Sequence, residues 1–144
     1  MARFLLSTGT FLGFAATKNS SVRAWLEKAR DERNVKDVDL AVSVMSLVRL
    51  ERLWLNPPSS GLNPALQHRC AVLAQEFRDR RTVLQFGDEA LSTWLNVHRA
   101  HPEFDQEESF VVATAIEQRL TLLDKDLPEH ERFKQLGLHL EVIH

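Results

Sequence analysis

Short, almost continuous apolar segments alternate with amphipathic segments along this chain of 144 residues. Strands that are apolar on both faces are typical of a parallel sheet covered by helices on each side. Because these segments alternate with helical ones, the pattern predicts a single α/β domain, residues 1–144, built as a three-layer α/β/α sandwich around a mainly parallel sheet. The segments with the length and composition of buried strands are 3–6, 38–44, 82–86, 120–123 and 138–143.

The predicted helices lie between these strands and carry apolar residues at helical spacing. The strongest pattern covers residues 65–81, where apolar side chains recur every three or four residues: Leu66, Cys70, Leu73 and Phe77. Two further helices are predicted after Ser46 and Asp88, which are suited to be their N-caps. The remaining helices are predicted over 11–16, 22–33, 106–119 and 127–137.

Charge and cysteine content exclude several classes of protein. Eighteen Lys and Arg residues against twenty Asp and Glu residues give a formal net charge of −2, which excludes binding to nucleic acid by bulk positive charge. The single cysteine, Cys70, leaves no internal disulfide and no cysteine-based metal site, and it fits a reducing, cytoplasmic compartment. No apolar run approaches the about 20 residues of a membrane span, so we expect no membrane partner.

Polar and acidic residues follow the predicted strands at the edge of the sheet where ligands usually bind. Ligands of open parallel sheets bind at the carboxyl ends of the strands. Oxygen ligands converging there from separate elements suit Mg²⁺ or Mn²⁺, which can polarise a phosphate and activate water. The spacing permits such a site without requiring it. The residues concerned are Ser7, Asp124 and Asp126 after strands, and Asp105, Glu107 and Glu108 at the start of helix 106–119.

Four stretches in order, with a middle segment containing WLNV that matches in pattern only, carry a family resemblance that spans nearly the whole chain. They are FLLSTGTFLGF (4–14), VSVMSLVRLERL (42–53), EESFVVATAIEQRLTLLDKD (107–126) and FKQLGLHLEVI (133–143). Together they resemble the PIN-domain family, which includes the VapC-type toxin ribonucleases. The resemblance implies a PIN-like sandwich and cleavage of RNA with carboxylate-held Mg²⁺ or Mn²⁺. It also implies a homodimer that binds an antitoxin-like protein.

The family's acidic positions are only partly retained in this chain. The resemblance places them, in order, on Ser7, Arg49, Glu108 and Asp126, and a nearby family asparagine falls on Gly9. Glu108 and Asp126 are the retained acids and the candidate catalytic residues and metal ligands. A serine hydroxyl is a weak, neutral ligand, and arginine is a permanent cation.

These substitutions predict an altered site. We expect Arg49 to pair with Glu108 and Asp126 and to replace the metal, so that no cofactor is bound; Mg²⁺ or Mn²⁺ is expected only if the site is active. The leading hypothesis is a PIN-domain protein that binds RNA or a protein partner, with weakened or lost cleavage. One alternative is an active ribonuclease of a toxin–antitoxin pair that uses Glu108, Asp126 and Asp124 with Asp105 or Glu107. The other is a purely protein-interaction module.

Basic residues at the end of helix 65–81 offer a second function. The sequence FRDRR supplies three arginines there, and two more follow the second strand. They indicate either a groove for the RNA backbone or a solvated helix end, where cations are favoured anyway. The arginines are Arg78, Arg80 and Arg81, with Arg49 and Arg52.

Overall fold

Five parallel strands form the centre of the fold in this computed structural model, which describes residues 2–16, 21–55, 64–125 and 129–143. Their order in the sheet is β3-β2-β1-β4-β5, and every neighbouring pair is parallel. Each predicted strand is confirmed, with ends that shift by up to two residues. The strands are β1 (Phe4–Leu6), β2 (Leu40–Ser43), β3 (Thr82–Leu84), β4 (Thr121–Lys125) and β5 (His139–Ile143).

Helices cover both faces of the sheet, which confirms the predicted α/β/α sandwich. Leu5 and Leu6, neighbours on β1, point to opposite faces and belong to two separate apolar cores. None of the described helices is long and apolar enough to span a bilayer. The α-helices are α1 (Thr8–Ala16), α2 (Ser21–Arg33), α3 (Val44–Leu55), α4 (Pro64–Arg80), α5 (Leu91–Ala100) and α6 (Gln106–Gln118), and 3₁₀-helices cover Asp37–Asp39, Asp88–Ala90 and Glu129–Leu136.

The prediction of Ser46 as a helix N-cap is wrong. Helix α3 begins at Val44, directly after β2, and the Ser43 hydroxyl accepts a hydrogen bond from the Met45 N–H at 3.1 Å. Ser46 lies inside the helix, where its buried hydroxyl is 2.9 Å from that of Thr8. The strand therefore passes into the helix with its own last residue as the cap.

The helix predicted over 127–137 is a 3₁₀-helix in its described part, Glu129–Leu136. In a 3₁₀-helix, side chains three residues apart lie above one another. The two buried residues of this segment, His130 and Phe133, have this spacing. The tighter helix therefore turns both side chains towards the end of the sheet.

Arg81 is neither a solvated helix end nor an open RNA contact. Its side chain is 9% exposed, and its guanidinium lies 5.4 Å from the ring centre of Phe14 and 5.0 Å from that of Phe77. The Nη2 atom donates a hydrogen bond to Asp37 at 3.1 Å. Arg81 therefore joins α4 to the segment before β2 by stacking and by an ion pair.

Phe77 provides a direct test of the core on the α4 side of the sheet. Its fully buried ring lies 5.7 Å from Phe11 and 6.4 Å from Phe14. We expect Phe77→Ala to lower the free energy of unfolding by about 3–5 kcal/mol, because it leaves a cavity in this aromatic cluster. Urea denaturation measures the change. The matched control on the same helix is Val72→Ala, which removes a side chain that is 46% exposed and should cost far less; equal losses would contradict this packing.

Candidate functional site

The strand order reverses at β1, which has β2 on one side and β4 on the other. Such a reversal opens a crevice at the carboxyl ends of the strands, where open α/β sheets bind their ligands. Leu6 and Leu123 are paired across β1 and β4, and the Ser7 N–H donates to the Leu123 carbonyl at 2.9 Å. The topology therefore brings Ser7 and Asp124 together at this point.

Ser7 is the N-cap of α1. Its hydroxyl accepts a hydrogen bond from the Thr10 N–H at 3.2 Å, as N-caps do. The same hydroxyl donates to Asp124 Oδ1 at 3.1 Å. Ser7 is fully buried, and its hydroxyl makes hydrogen bonds with the first turn of α1 and with the Asp124 carboxylate.

Glu108 reaches the site from the first turn of α6. Asp105 caps this helix by accepting the Glu108 N–H at 3.1 Å. The Glu108 side chain is 3% exposed and points at the start of α1, where the Thr8 N–H donates to Oε1 at 3.2 Å and the Thr8 hydroxyl donates to Oε2. The carboxylate therefore lies against the amino ends of two helices, where negative charge is stabilised.

Arg49 reaches Glu108 from the other side of the crevice. Its Nη1 atom is 3.3 Å from Glu108 Oε2, and its Nε atom is 3.4 Å from Asp105 Oδ1. One turn later, Arg52 Nε donates to Glu107 Oε1 at 2.6 Å. The predicted contact between Arg49 and Glu108 is thus present.

Other parts of the predicted site have different outcomes. Asp126 lies outside the described residues, so its pairing with Arg49 and its metal role stay predictions. Gly9, in the first turn of α1, lines the crevice beside Arg49 and Glu108. The roles assigned to Ser7, Arg49 and Glu108 also stay predictions.

His130 completes the site and was missed by the sequence analysis. Its Nδ1 atom is 2.6 Å from Asp124 Oδ2, and its Nε2 atom is 3.1 Å from Glu108 Oε1. His130 lies outside the four stretches of the chain that resemble the family. The available signal was its three-residue spacing from Phe133 in an otherwise polar segment that follows β4.

The buried charges shift one another's titration. Burial alone lowers the pKa of His130, but hydrogen bonds to Asp124 and Glu108 and the charges of these carboxylates raise it to about 9. Burial alone raises the pKa of Glu108, but the hydrogen bond and charge of His130, with Thr8 and Arg49, hold it below its ordinary value. Both groups are therefore charged at neutral pH.

The crevice is an open cavity of about 430 Å³ with charges of both signs on its walls. Each oxygen of Glu108 and Asp124 already accepts a hydrogen bond from the chain: the donors are Ser7, Thr8, Arg49, Lys125 and His130. Among the described residues, no group of three or more His, Cys, Asp or Glu side chains is arranged to hold a metal ion. The oxygens of these two carboxylates are therefore engaged by donors of the chain itself.

Known structures share this architecture along the whole chain. DNA-bound VapBC from Salmonella typhimurium matches with a TM-score of 0.70 at 18% identity, covering 100% of both chains. VapBC2 from Rickettsia felis, bound to a promoter DNA fragment, gives a TM-score of 0.67 at 15% identity over 98% of both chains. FitAcB from Neisseria gonorrhoeae gives 0.62 at 17% identity over 95% of both. No family model matches the sequence, and no curated protein does.

The matching chains of the two VapBC structures are VapC toxin components, which are PIN-domain proteins. This chain has the PIN-domain fold. The resemblance to the PIN-domain family that the sequence indicated is thereby confirmed for the fold. Within this PIN fold, the crevice at the β1–β4 switch point is the candidate functional site, with Arg49 and His130 beside its buried acids.

The raised pKa of His130 predicts a pH-dependent stability. Protonated His130 stabilises the folded state fully below its ordinary pKa of 6.5, and this stabilisation is lost as the pH rises through about 9. We expect the difference in unfolding free energy between wild type and His130→Gln to fall by about 3 kcal/mol at most across this window. Urea denaturation at a series of pH values measures it.

The control for this titration is His139→Gln, because His139 is an exposed residue on β5. His139 does not line the crevice, so this variant measures the effect of replacing a histidine away from the buried acids. A difference for His130→Gln that does not change between pH 6.5 and 9 would contradict the paired, protonated imidazole.

Proposed function

We propose that this chain is a cytoplasmic, toxin-type PIN-fold protein that binds an antitoxin-like protein partner, with metal-dependent RNA cleavage weakened or lost. The observation that carries the proposal is the guanidinium of Arg49 at 3.3 Å from the buried carboxylate of Glu108. Arg49 stands where the family resemblance implies an acid. A fixed cation at this place competes with a divalent cation for the same carboxylate.

The neutral hydroxyl of Ser7 supports the same conclusion. The resemblance implies a first acid at this position, at the carboxyl end of β1. Ser7 is instead fully buried, and its hydroxyl donates a hydrogen bond to Asp124. A neutral hydroxyl offers a cation no charge and is a weaker ligand than a carboxylate.

An antitoxin-like partner is supported by the comparisons and by an apolar groove. The matching structures from Salmonella typhimurium and Rickettsia felis are VapBC complexes bound to DNA. Between α3 and α4 this chain has a groove of about 370 Å³, whose walls include Val44, Leu47 and Ala74. Val48 on its edge is 46% exposed. Such a groove suits the apolar side of a partner helix or strand.

RNA binding has less support than a protein partner. Three of the five arginines that suggested an RNA groove are engaged with the chain's own groups. Arg81 is buried against aromatic rings, and Arg49 and Arg52 lie on acids of α6 and its cap. Phosphate contacts would have to replace these ion pairs. Homodimerisation stays a prediction.

One observation favours the rival function of an active ribonuclease. Five carboxylates line the cavity and outnumber the cationic side chains on its walls. Carboxylates hold Mg²⁺ or Mn²⁺ in many phosphoryl-transfer sites. The five are Glu103, Asp105, Glu108, Asp124 and Glu129. The rate of RNA cleavage in Mg²⁺ or Mn²⁺, compared with the rate in EDTA, distinguishes this function from the proposed one.

We expect wild-type protein to cleave RNA no faster in Mg²⁺ or Mn²⁺ than in EDTA, because Arg49 holds the carboxylate that a metal would need. Fluorescent single-stranded RNA oligonucleotides, resolved by gel electrophoresis, measure the rate. Glu108→Gln is the control for contaminating nuclease, since any true activity of this site should disappear in it. Metal-dependent cleavage by wild type that Glu108→Gln abolishes would establish the active ribonuclease and contradict the proposal.

The partner can be sought in the product of a short reading frame next to the gene. We expect co-expression to give a stable complex, which light scattering after size-exclusion chromatography measures with its stoichiometry. Val48→Glu should weaken the complex at least about tenfold, because it places a charge in the apolar groove. Val38→Glu is the matched control, because Val38 is 53% exposed and does not line this groove. An unchanged affinity in Val48→Glu would exclude the groove as the docking site.

A further inference from the structure

His130 bridges the two buried carboxylates of the site. Its ring nitrogens lie 2.6 Å from Asp124 Oδ2 and 3.1 Å from Glu108 Oε1. All three side chains are almost completely buried, with exposures of 7%, 7% and 3% for His130, Asp124 and Glu108. Water therefore has little access to the space between the two acids.

The position of both ring nitrogens of His130 against carboxylate oxygens favours a protonated imidazole. A neutral imidazole has one N–H, so one ring nitrogen would present a lone pair to a carboxylate oxygen. Two opposed lone-pair groups in a buried site are strongly unfavourable. An imidazolium donates from both nitrogens and gives two charge-assisted hydrogen bonds.

The four charged groups then balance. Glu108 and Asp124 bring two negative charges, and His130 and Arg49 bring two positive ones. His130 contacts both acids, while the second cation contacts Glu108 at 3.3 Å. The remaining oxygen contacts come from neutral donors, which are the Ser7 and Thr8 hydroxyls and backbone N–H groups.

We infer that His130, assisted by Arg49, is the resident cation of this site and occupies the bridging position between two acids that a divalent cation takes in a carboxylate site. The inference rests on the proposed loss of metal-dependent cleavage and names the group that replaces the metal. With these two side chains in place, the charges of Glu108 and Asp124 are neutralised without a bound ion. His130 also attaches the 3₁₀-helix Glu129–Leu136 to the crevice through its side chain.

Removing both resident cations should turn the site into a divalent-cation site. We expect the double variant Arg49→Gln/His130→Gln to bind Mn²⁺ and to gain thermal stability with it, since a ligand that binds the folded state raises its stability. Wild type should show neither effect at the same millimolar concentration. Electron paramagnetic resonance of free Mn²⁺ measures binding, and thermal denaturation in Mn²⁺ and in EDTA measures stability.

The matched control is Arg80→Gln/His139→Gln, which removes an exposed arginine from the end of α4 and an exposed histidine from β5. Neither residue lines the crevice, so this variant should bind no more Mn²⁺ than wild type does. Wild type that binds Mn²⁺ at the site, with loss of binding in Glu108→Gln, would overturn the inference. A folded Arg49→Gln/His130→Gln variant that does not bind Mn²⁺ would also overturn it.

A measurement on wild type keeps the inference testable if the double variant does not fold. Nitrogen NMR of the His130 ring at neutral pH should show protons on both nitrogens, and a proton on one nitrogen would overturn the inference. The outcomes for the two proposals are distinct. Metal-dependent RNA cleavage by wild type whose His130 ring stays doubly protonated would contradict the proposed loss of cleavage and leave the resident cation intact, whereas a neutral His130 ring would remove the resident cation alone.

Discussion

A carboxylate taken out of water is stable only when the protein surrounds it with hydrogen-bond donors or cations, because burying a bare charge costs many kcal/mol. Glu108 is such a carboxylate, and the arrangement of the crevice follows from what surrounds it. The start of α1, the outer face of α3 and the 3₁₀-helix after β4 each send a donor to it, from Thr8, Arg49 and His130. These three segments therefore meet at one charged group.

The fold provides the place where such a group can be held. The β1–β4 reversal opens the crevice, and two helices begin at its edge with their N–H groups towards it. A PIN fold can use this place for acids that hold a metal. In this chain the two buried acids of the site, Glu108 and Asp124, contact two cationic side chains, Arg49 and His130.

Periodicity and turn chemistry predict most of this architecture. The strands follow from apolar runs, and the longest helix follows from the spacing of Cys70, Leu73 and Phe77, all of which are buried. Burial also raises the pKa of the Cys70 thiol to about 11, in keeping with an inert core residue. The contact between Arg49 and Glu108 could be anticipated because a reversed charge next to retained acids favours an ion pair.

The sequence could not reveal contacts that depend on tertiary structure. His130 lies in a polar segment, and its value to the site comes from facing two acids that belong to α6 and β4. The sequence predicts a solvated cation at Arg81, whereas in the structure Phe14, Phe77 and Asp37 surround its guanidinium. In both cases local composition favours a surface residue, and long-range packing decides otherwise.

The sequence separations around Glu108 have a consequence for biosynthesis. Its partners lie 100 residues away at Thr8, 59 away at Arg49 and 22 away at His130. Contacts between residues so far apart in sequence form after the intervening chain has been made and organised. On the ribosome, the complete set of donors to this glutamate is therefore available only after His130 has been synthesised.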